Sequence, residues 1–379
     1  MSIEKGKVGV ILLGAQSFPN SVNYGSSEAF SNSYKKIKAF LTDDSKGLGL
    51  NPQTDILDLF DSDSSADAQD VSISAFIRDR KQKKIEDLII YYTGHGGYAP
   101  ENGGYLLTIK STRDDNPGVS SLTFKTLSIT ISKYATDLRI YFILDCCFAG
   151  EAIYQSTSLE IIKKQVENDF PSKGIAFLCA ASKELPAIIV KERNITQFTE
   201  GLEKALREGS KIINNGYLTL REIEKITFEN IKELNKTNPS EIIRPEVHSP
   251  DQREGDIAGI RHFPNYAFLR KIYDFKEQRK EIMVRLGNDN LWEASQLLQT
   301  FTFNFSEDPG LQSRAVSISR KSKIIEEKLR QVMVDFNEKN IDRDTREKEQ
   351  DKLRADGNEL LEKIIELVND AIKSNSGNV

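Results

Sequence analysis

Asp87-Leu88-Ile89-Ile90-Tyr91-Tyr92-Thr93-Gly94-His95-Gly96-Gly97 and Leu138-Arg139-Ile140-Tyr141-Phe142-Ile143-Leu144-Asp145-Cys146-Cys147-Phe148-Ala149-Gly150 are the two stretches whose reading decides the fold. Each is a short apolar run rich in Ile, Tyr and Phe, closed by a segment containing glycine. Such a run, without polar alternation, predicts a strand buried on both faces. Working outward, Val8-Gly9-Val10-Ile11-Leu12-Leu13, Asp55 to Phe60 and Ile175 to Ala180 read the same way. Between them lie stretches with helical spacing. Ser27 to Leu41 carries Tyr34, Ile37 and Phe40 on one face, and Val71 to Arg80 and Lys125 to Tyr134 follow. Tyr105 to Ile109 suggests a short hairpin arm. Strands alternating with helices predict an α/β fold, a mostly parallel sheet covered by helices on both faces.

Residues 151 to 173 are polar and loop-like, with a helix expected at Leu159 to Val166. Thr196 to Arg207 and Thr219 to Leu234 read as helices. Asn238 to Pro264 is rich in Pro, Gly and charge and reads mostly as loop, which leaves His248 and His262 expected in solvent. After Phe268 no strand pattern occurs. Four amphipathic helices are predicted, marked by Leu269, Ile272, Ile282 and Leu286; by Leu291 to Leu298; by Ile318, Ile325, Leu329, Val332 and Phe336; and by Leu353, Leu360, Ile364, Leu367 and Ala371. This composition shift predicts two domains, 1–268 with the sheet and 269–379 as an all-α helical bundle.

The 379 residues carry a net charge of -5, which argues against a general nucleic-acid binder. From Arg270 onward 20 Lys and Arg face 21 Asp and Glu, so the bundle has no basic excess either. No apolar run reaches the roughly 18 residues that span a bilayer. Met1-Ser2-Ile3-Glu4-Lys5 leads straight into a strand-like segment, so no signal peptide is expected. The three cysteines, 146, 147 and 179, include an adjacent pair, which points away from a disulfide framework and toward a reducing cytoplasm. With only three histidines, at 95, 248 and 262, neither a closed zinc site nor another cofactor is expected.

In open α/β sheets chemistry sits at the carboxyl ends of the strands. His95 and Cys147 follow two such ends. A cysteine nucleophile needs a base, which an imidazole supplies, and an oxyanion hole, for which the backbone N–H groups of Gly96 and Cys147 are candidates. Side chains alternate along extended backbone, so Asp145 and Cys147 share one face and Cys146 the other; Cys147 is therefore the expected nucleophile. Cys179, inside an apolar strand, reads as core.

Tyr-Tyr-Thr-Gly-His95-Gly-Gly and Ile-Leu-Asp-Cys-Cys147-Phe-Ala-Gly together resemble the caspase superfamily, which includes metacaspases and the bacterial caspase-like and CHAT proteases. His95 and Cys147 lie 52 residues apart, close to the about 50 usual in caspases. The resemblance covers residues 5 to 268 and includes Phe198-Thr199-Glu200-Gly201-Leu202. It implies a cysteine endopeptidase acting on a protein substrate. Cys147 follows Asp145-Cys146 and not the Gln-Ala of animal caspases, which is similar to metacaspases and implies cleavage after Arg or Lys, with Asp145 in the substrate pocket. A carboxylate beside the nucleophile fits a cationic side chain. Asp145 has a second reading as the cap of a backbone turn, and Glu184 reads as either a second pocket acid or a solvated loop charge. If cleavage follows Lys, then Lys163, Lys164 and Lys173 are candidate self-cleavage sites. The bundle, through Arg279 to Gln299 and Ser317 to Asn369, resembles effector-associated adaptor domains of bacterial conflict systems. That implies recruitment to an adaptor or activator protein, in immune or cell-death signalling. The alternative is a catalytically silent caspase-fold scaffold recruited through the bundle.

Overall fold

Seven residues, Val8–Gly14, form β1, and every one of them is buried. The computed structural model describes residues 6–99, 101, 104–148, 158–180, 189–190, 193–236, 242–250, 256–287, 291–305 and 309–376. β1 pairs in parallel with β2 (Ile56–Asp58) on one side and β3 (Asp87–Ala99) on the other. β3 pairs in parallel with β6 (Arg139–Phe148), and β6 with β7 (Ile175–Cys179). With β11 (Glu246–His248) at the β7 edge, the order across the sheet is β11-β7-β6-β3-β1-β2. β3 and β6 are thus central, flanked on both sides and on both faces, which explains their unbroken apolar composition.

The alternation of side chains divides two cores. Ile140, Phe142, Leu144 and Cys146 of β6 belong to a core shared with α2 (Ala66–Gln82), α4 (Phe124–Tyr134) and α5 (Ser158–Asp169). Tyr141 and Ile143 belong to the opposite one, shared with α1 (Glu28–Thr42), α6 (Gln197–Glu208) and α7 (Leu220–Leu234). Ile11, Leu12, Phe142 and Phe177 are fully buried, each worth at most about 1.5–3 kcal/mol against an exposed side chain. Hydroxyls start the helices. Ser27, Thr123 and Thr196 each accept a backbone N–H of the first turn, and Thr219 with Glu222 forms a complete capping box.

The structure extends two predicted strands. His95 and Cys147 were expected just past the strand ends, yet β3 runs to Ala99 and β6 to Phe148, so both residues lie within strands. The cause is pairing. β4 (Gly104–Leu107) lies antiparallel to residues 96–99 of β3, with β5 (Leu122–Thr123) beside it, so the glycine-rich end is held as sheet. β1 approaches β3 too closely for any side chain at Gly14, where a Cβ would stand 1.8 Å from the Thr93 carbonyl; φ there is +118°.

Two short ribbons, β8 (Ile189–Val190) with β9 (Ile195–Thr196) and β10 (Tyr217–Leu218) with β12 (Phe263–Pro264), complete the strands with β11 (Glu246–His248). β11 lies within the segment expected to be loop. It pairs antiparallel with β7 and covers that edge of the sheet. His248 and His262 depart from expectation as well. His248 is half-buried, and His262 is fully buried, with Nε2 2.8 Å from Asp87 Oδ2 and its ring stacked on Tyr141. A short helix, α3 (Pro117–Ser120), follows β4.

The chain divides into two compact units, Met1–Ala267 and Phe268–Val379. From the boundary onward the chain forms α8 (Tyr266–Gly287), α9 (Leu291–Phe305), α10 (Pro309–Asn337) and α11 (Arg343–Ser376), one for each predicted helix. Ile282, Leu298, Phe301, Ile318, Ile364 and Leu367 are among those that close a core of their own. No described helix is long and apolar enough to cross a membrane.

Candidate active site

The ladder between β3 and β6 sets the site. It pairs Thr93 with Asp145, Gly94 with Cys146, His95 with Cys147 and Gly96 with Phe148. Paired strands lie about 4.8 Å apart, so residues 95 and 147, distant in sequence, are backbone neighbours. Gly96 also stands opposite Leu107 of β4.

His95 is built in from the β1–α1 connection and the first turn of α1. Phe18, Tyr24 and Phe30 surround its imidazole, with ring centroids at 5.2, 5.7 and 5.0 Å. Its Nε2 lies 2.8 Å from the Gly25 carbonyl. A carbonyl only accepts, so Nε2 carries the proton and Nδ1 is the basic nitrogen. Burial lowers the imidazole pKa, and the Gly25 hydrogen bond opposes this in part, so the ring is held neutral. The His95 carbonyl accepts from Tyr92 Oη at 2.5 Å and from Thr108 Oγ1 at 2.7 Å, which anchors the backbone beneath the ring.

Cys146 is 1 % exposed, lies in the core with Tyr92 and Leu144, and has its Sγ 3.2 Å from Tyr105 Oη. Residue 147 occupies the register of the opposite face, the one that carries Ile143 and Asp145. Cys179 is buried, and burial first, then the Glu246 charge, pushes its thiol up to about 12, far from a thiolate at neutral pH.

Asp145 is fully buried at the N-terminus of α6, where the helix dipole favours a negative charge. Its Oδ2 accepts from Thr199 Oγ1 at 2.5 Å, Thr196 Oγ1 at 2.6 Å and Tyr91 Oη at 3.2 Å, with Thr93 Oγ1 at 3.4 Å. Ser33 of α1 stands behind, 2.9 Å from Thr196. These partners are side-chain hydroxyls, so Asp145 ties α6 to the sheet and is more than a cap on a turn. Its Oδ1 is equally buried and has no hydrogen-bond partner among the described residues. Burial pushes the carboxyl up despite the hydroxyls.

Glu184 lies outside the described residues. Lys163 and Lys164 lie inside α5, the helix expected at Leu159 to Val166, and Lys163 forms a 2.9 Å ion pair with Glu246. Cleavage at either requires the helix to open. Lys173 lies between α5 and β7. Among the described residues no group of three or more His, Cys, Asp or Glu is arranged to hold a metal ion.

Sequence reasoning missed Gly25, the three aromatic walls and the hydroxyls around Asp145. Only Thr196 and Thr199 left a signal, as a cap and its third residue ahead of an amphipathic helix. A scan against models of known protein families finds no match, and a search of curated proteins finds none.

Proposed function

We propose that this chain is a caspase-like cysteine endopeptidase with Cys147 as nucleophile and His95 as general base. The observation that supports it most is the register pairing of His95 with Cys147, next to an imidazole held neutral with Nε2 already committed to Gly25. With Nε2 donating to Gly25, Nδ1 is the nitrogen that takes the Cys147 thiol proton. The thiolate attacks the scissile carbonyl carbon, and the oxyanion that forms is received by the Gly96 and Cys147 amides. Protonated Nδ1 gives its proton to the leaving amine. A thioester remains, and water, deprotonated by the same nitrogen, releases the acid and the free thiol.

Asp145 sets the preference for Arg or Lys before the cut bond. The support is Oδ1, a buried acceptor with no donor among the described residues, which a substrate ammonium or guanidinium inserted beside it would satisfy. The helical unit recruits the enzyme to an adaptor or activator protein, raising its local concentration. By resemblance the setting is bacterial immune or cell-death signalling. Profiling the purified chain on a peptide library tests the reading: cuts after Arg or Lys are expected, and cuts after Asp, or none, refute it.

A further inference from the structure

The imidazole of His95 depends on Gly25, and Gly25 sits on a connection, residues 15–27, that has no regular secondary structure. Something other than a ladder must hold it. At its root Ser27 N–H donates to the Gln16 carbonyl at 2.8 Å, and Asp61 Oδ1 accepts from the N–H groups of Gln16 at 3.1 Å and Ser17 at 3.3 Å. At its tip packing offers nothing, since Val22 is 94 % exposed. There the hold is electrostatic and comes from another loop. Asp114, seven residues beyond the last residue of β4, accepts from Ser21 Oγ at 2.5 Å and from Val22 N–H at 2.6 Å. Ser21 Oγ in turn accepts the N–H groups of Asn23 at 3.1 Å and Tyr24 at 3.0 Å. Tyr24 is a wall of the imidazole and Gly25 is its hydrogen-bond acceptor.

We propose that Asp114 is a positioning residue for His95, acting through Ser21 on the Tyr24–Gly25 segment that walls and orients the imidazole. This rests on His95 being the base. Asp114 acts through the loop: it fixes the segment whose carbonyl selects the tautomer with a basic Nδ1. The arrangement also tolerates no neutral substitute of equal strength, because two donors from the loop converge on the two oxygens of one carboxylate. The same two hydrogen bonds, first Ser21 and then Val22, hold the Asp114 carboxyl below its ordinary range, so it is ionised throughout the neutral region.

The test is an NMR titration of the three histidines in the full chain, with His95 assigned through His95→Gln, alongside peptide turnover. Releasing the loop removes both influences on His95, and burial is the larger, so its pKa rises toward the ordinary value in Asp114→Ala and in Ser21→Ala. Turnover should fall on the order of 10- to 100-fold with KM little changed, as expected for a misplaced base. Asp114→Asn, which keeps one acceptor, should lie between. Asp115→Ala, whose carboxylate is 75 % exposed and meets Arg113, should match the wild type in both readings. A His95 pKa that stays put in Asp114→Ala overturns the positioning role, even if turnover drops. A wild type that cleaves nothing while the Asp114 variants still shift His95 refutes the protease reading and leaves the positioning standing.

Discussion

His95 of β3 and Cys147 of β6 are register partners in a parallel ladder, 52 residues apart in the chain and adjacent in the sheet. The two motifs meet because β3 and β6 are the central strands, and because both extend four or more residues past their apolar runs. Removing His95 should therefore disarm Cys147. His95→Ala is expected to lower turnover by roughly 100- to 10,000-fold, the range of general acid–base catalysis. Iodoacetamide should also label Cys147 more slowly at neutral pH, read by mass spectrometry of the modified peptide. Equal labelling and turnover would leave His95 a structural residue.

Asp145 gives a test that separates specificity from stability. Asp145→Ala strands the buried hydroxyls of Thr196 and Thr199 and should cost about 1–3 kcal/mol for each left without an acceptor, read from urea unfolding. Asp145→Asn keeps an acceptor for them but neutralises the pocket. It should fold and lose preference for Arg and Lys on a peptide library. Undiminished preference in Asp145→Asn would remove this carboxylate from the substrate pocket.

Asp87 sets an acid limit on stability. Burial pushes its carboxyl up, but the contacts with His262 and Arg139 outweigh burial and hold it below its ordinary value. A lowered folded-state pKa means that the unfolded chain binds the proton first. Stability is thus complete above the ordinary carboxylate range and is lost as pH falls through it toward the folded value. Urea midpoints between pH 7 and pH 3 should drop in the wild type, and Asp87→Asn should start lower and show a shallower drop. Parallel curves would mean that Asp87 contributes nothing to the acid limb.

The helical unit should stand alone. Ile282, Leu298, Phe301, Ile318, Ile364 and Leu367 are buried together within it, and none of the three cysteines or three histidines falls there. Residues 268–379 expressed separately should show a helical circular-dichroism spectrum and a cooperative melt, while 1–267 keeps its turnover when concentrated. An unfolded 268–379 fragment beside an insoluble 1–267 would make the bundle part of the sheet unit's core.

What was readable in the sequence followed from periodicity. β1, β3, β6 and β7 show as apolar runs because each is buried on both faces, and α8 to α11 show because each has an apolar stripe. Alternation along β6 likewise sends Cys146 into the core with Tyr105. What periodicity does not carry was missed. β11 has only three residues, Glu246-Val247-His248, and exists through its pairing with β7. His262 looked solvated because its partner, Asp87, is far away in the chain and only the fold joins them. Gly25 contributes a carbonyl, a group every residue has, so no residue type announces it. The carboxylate Asp145 stood out in the sequence, but the four hydroxyls on its Oδ2 come from β3, β9 and α6 and become a set only when those elements pack.

The most direct measurement compares Cys147→Ala with Cys146→Ala on a pool of peptides, both checked for folding by thermal melt. Cys146→Ala should lose on the order of 1 kcal/mol of stability from a buried core position and keep most of its cleavage. Cys147→Ala should melt like the wild type and cut nothing. Cleavage that survives in Cys147→Ala, or that vanishes in a folded Cys146→Ala, would contradict the assignment of Cys147 as the nucleophile.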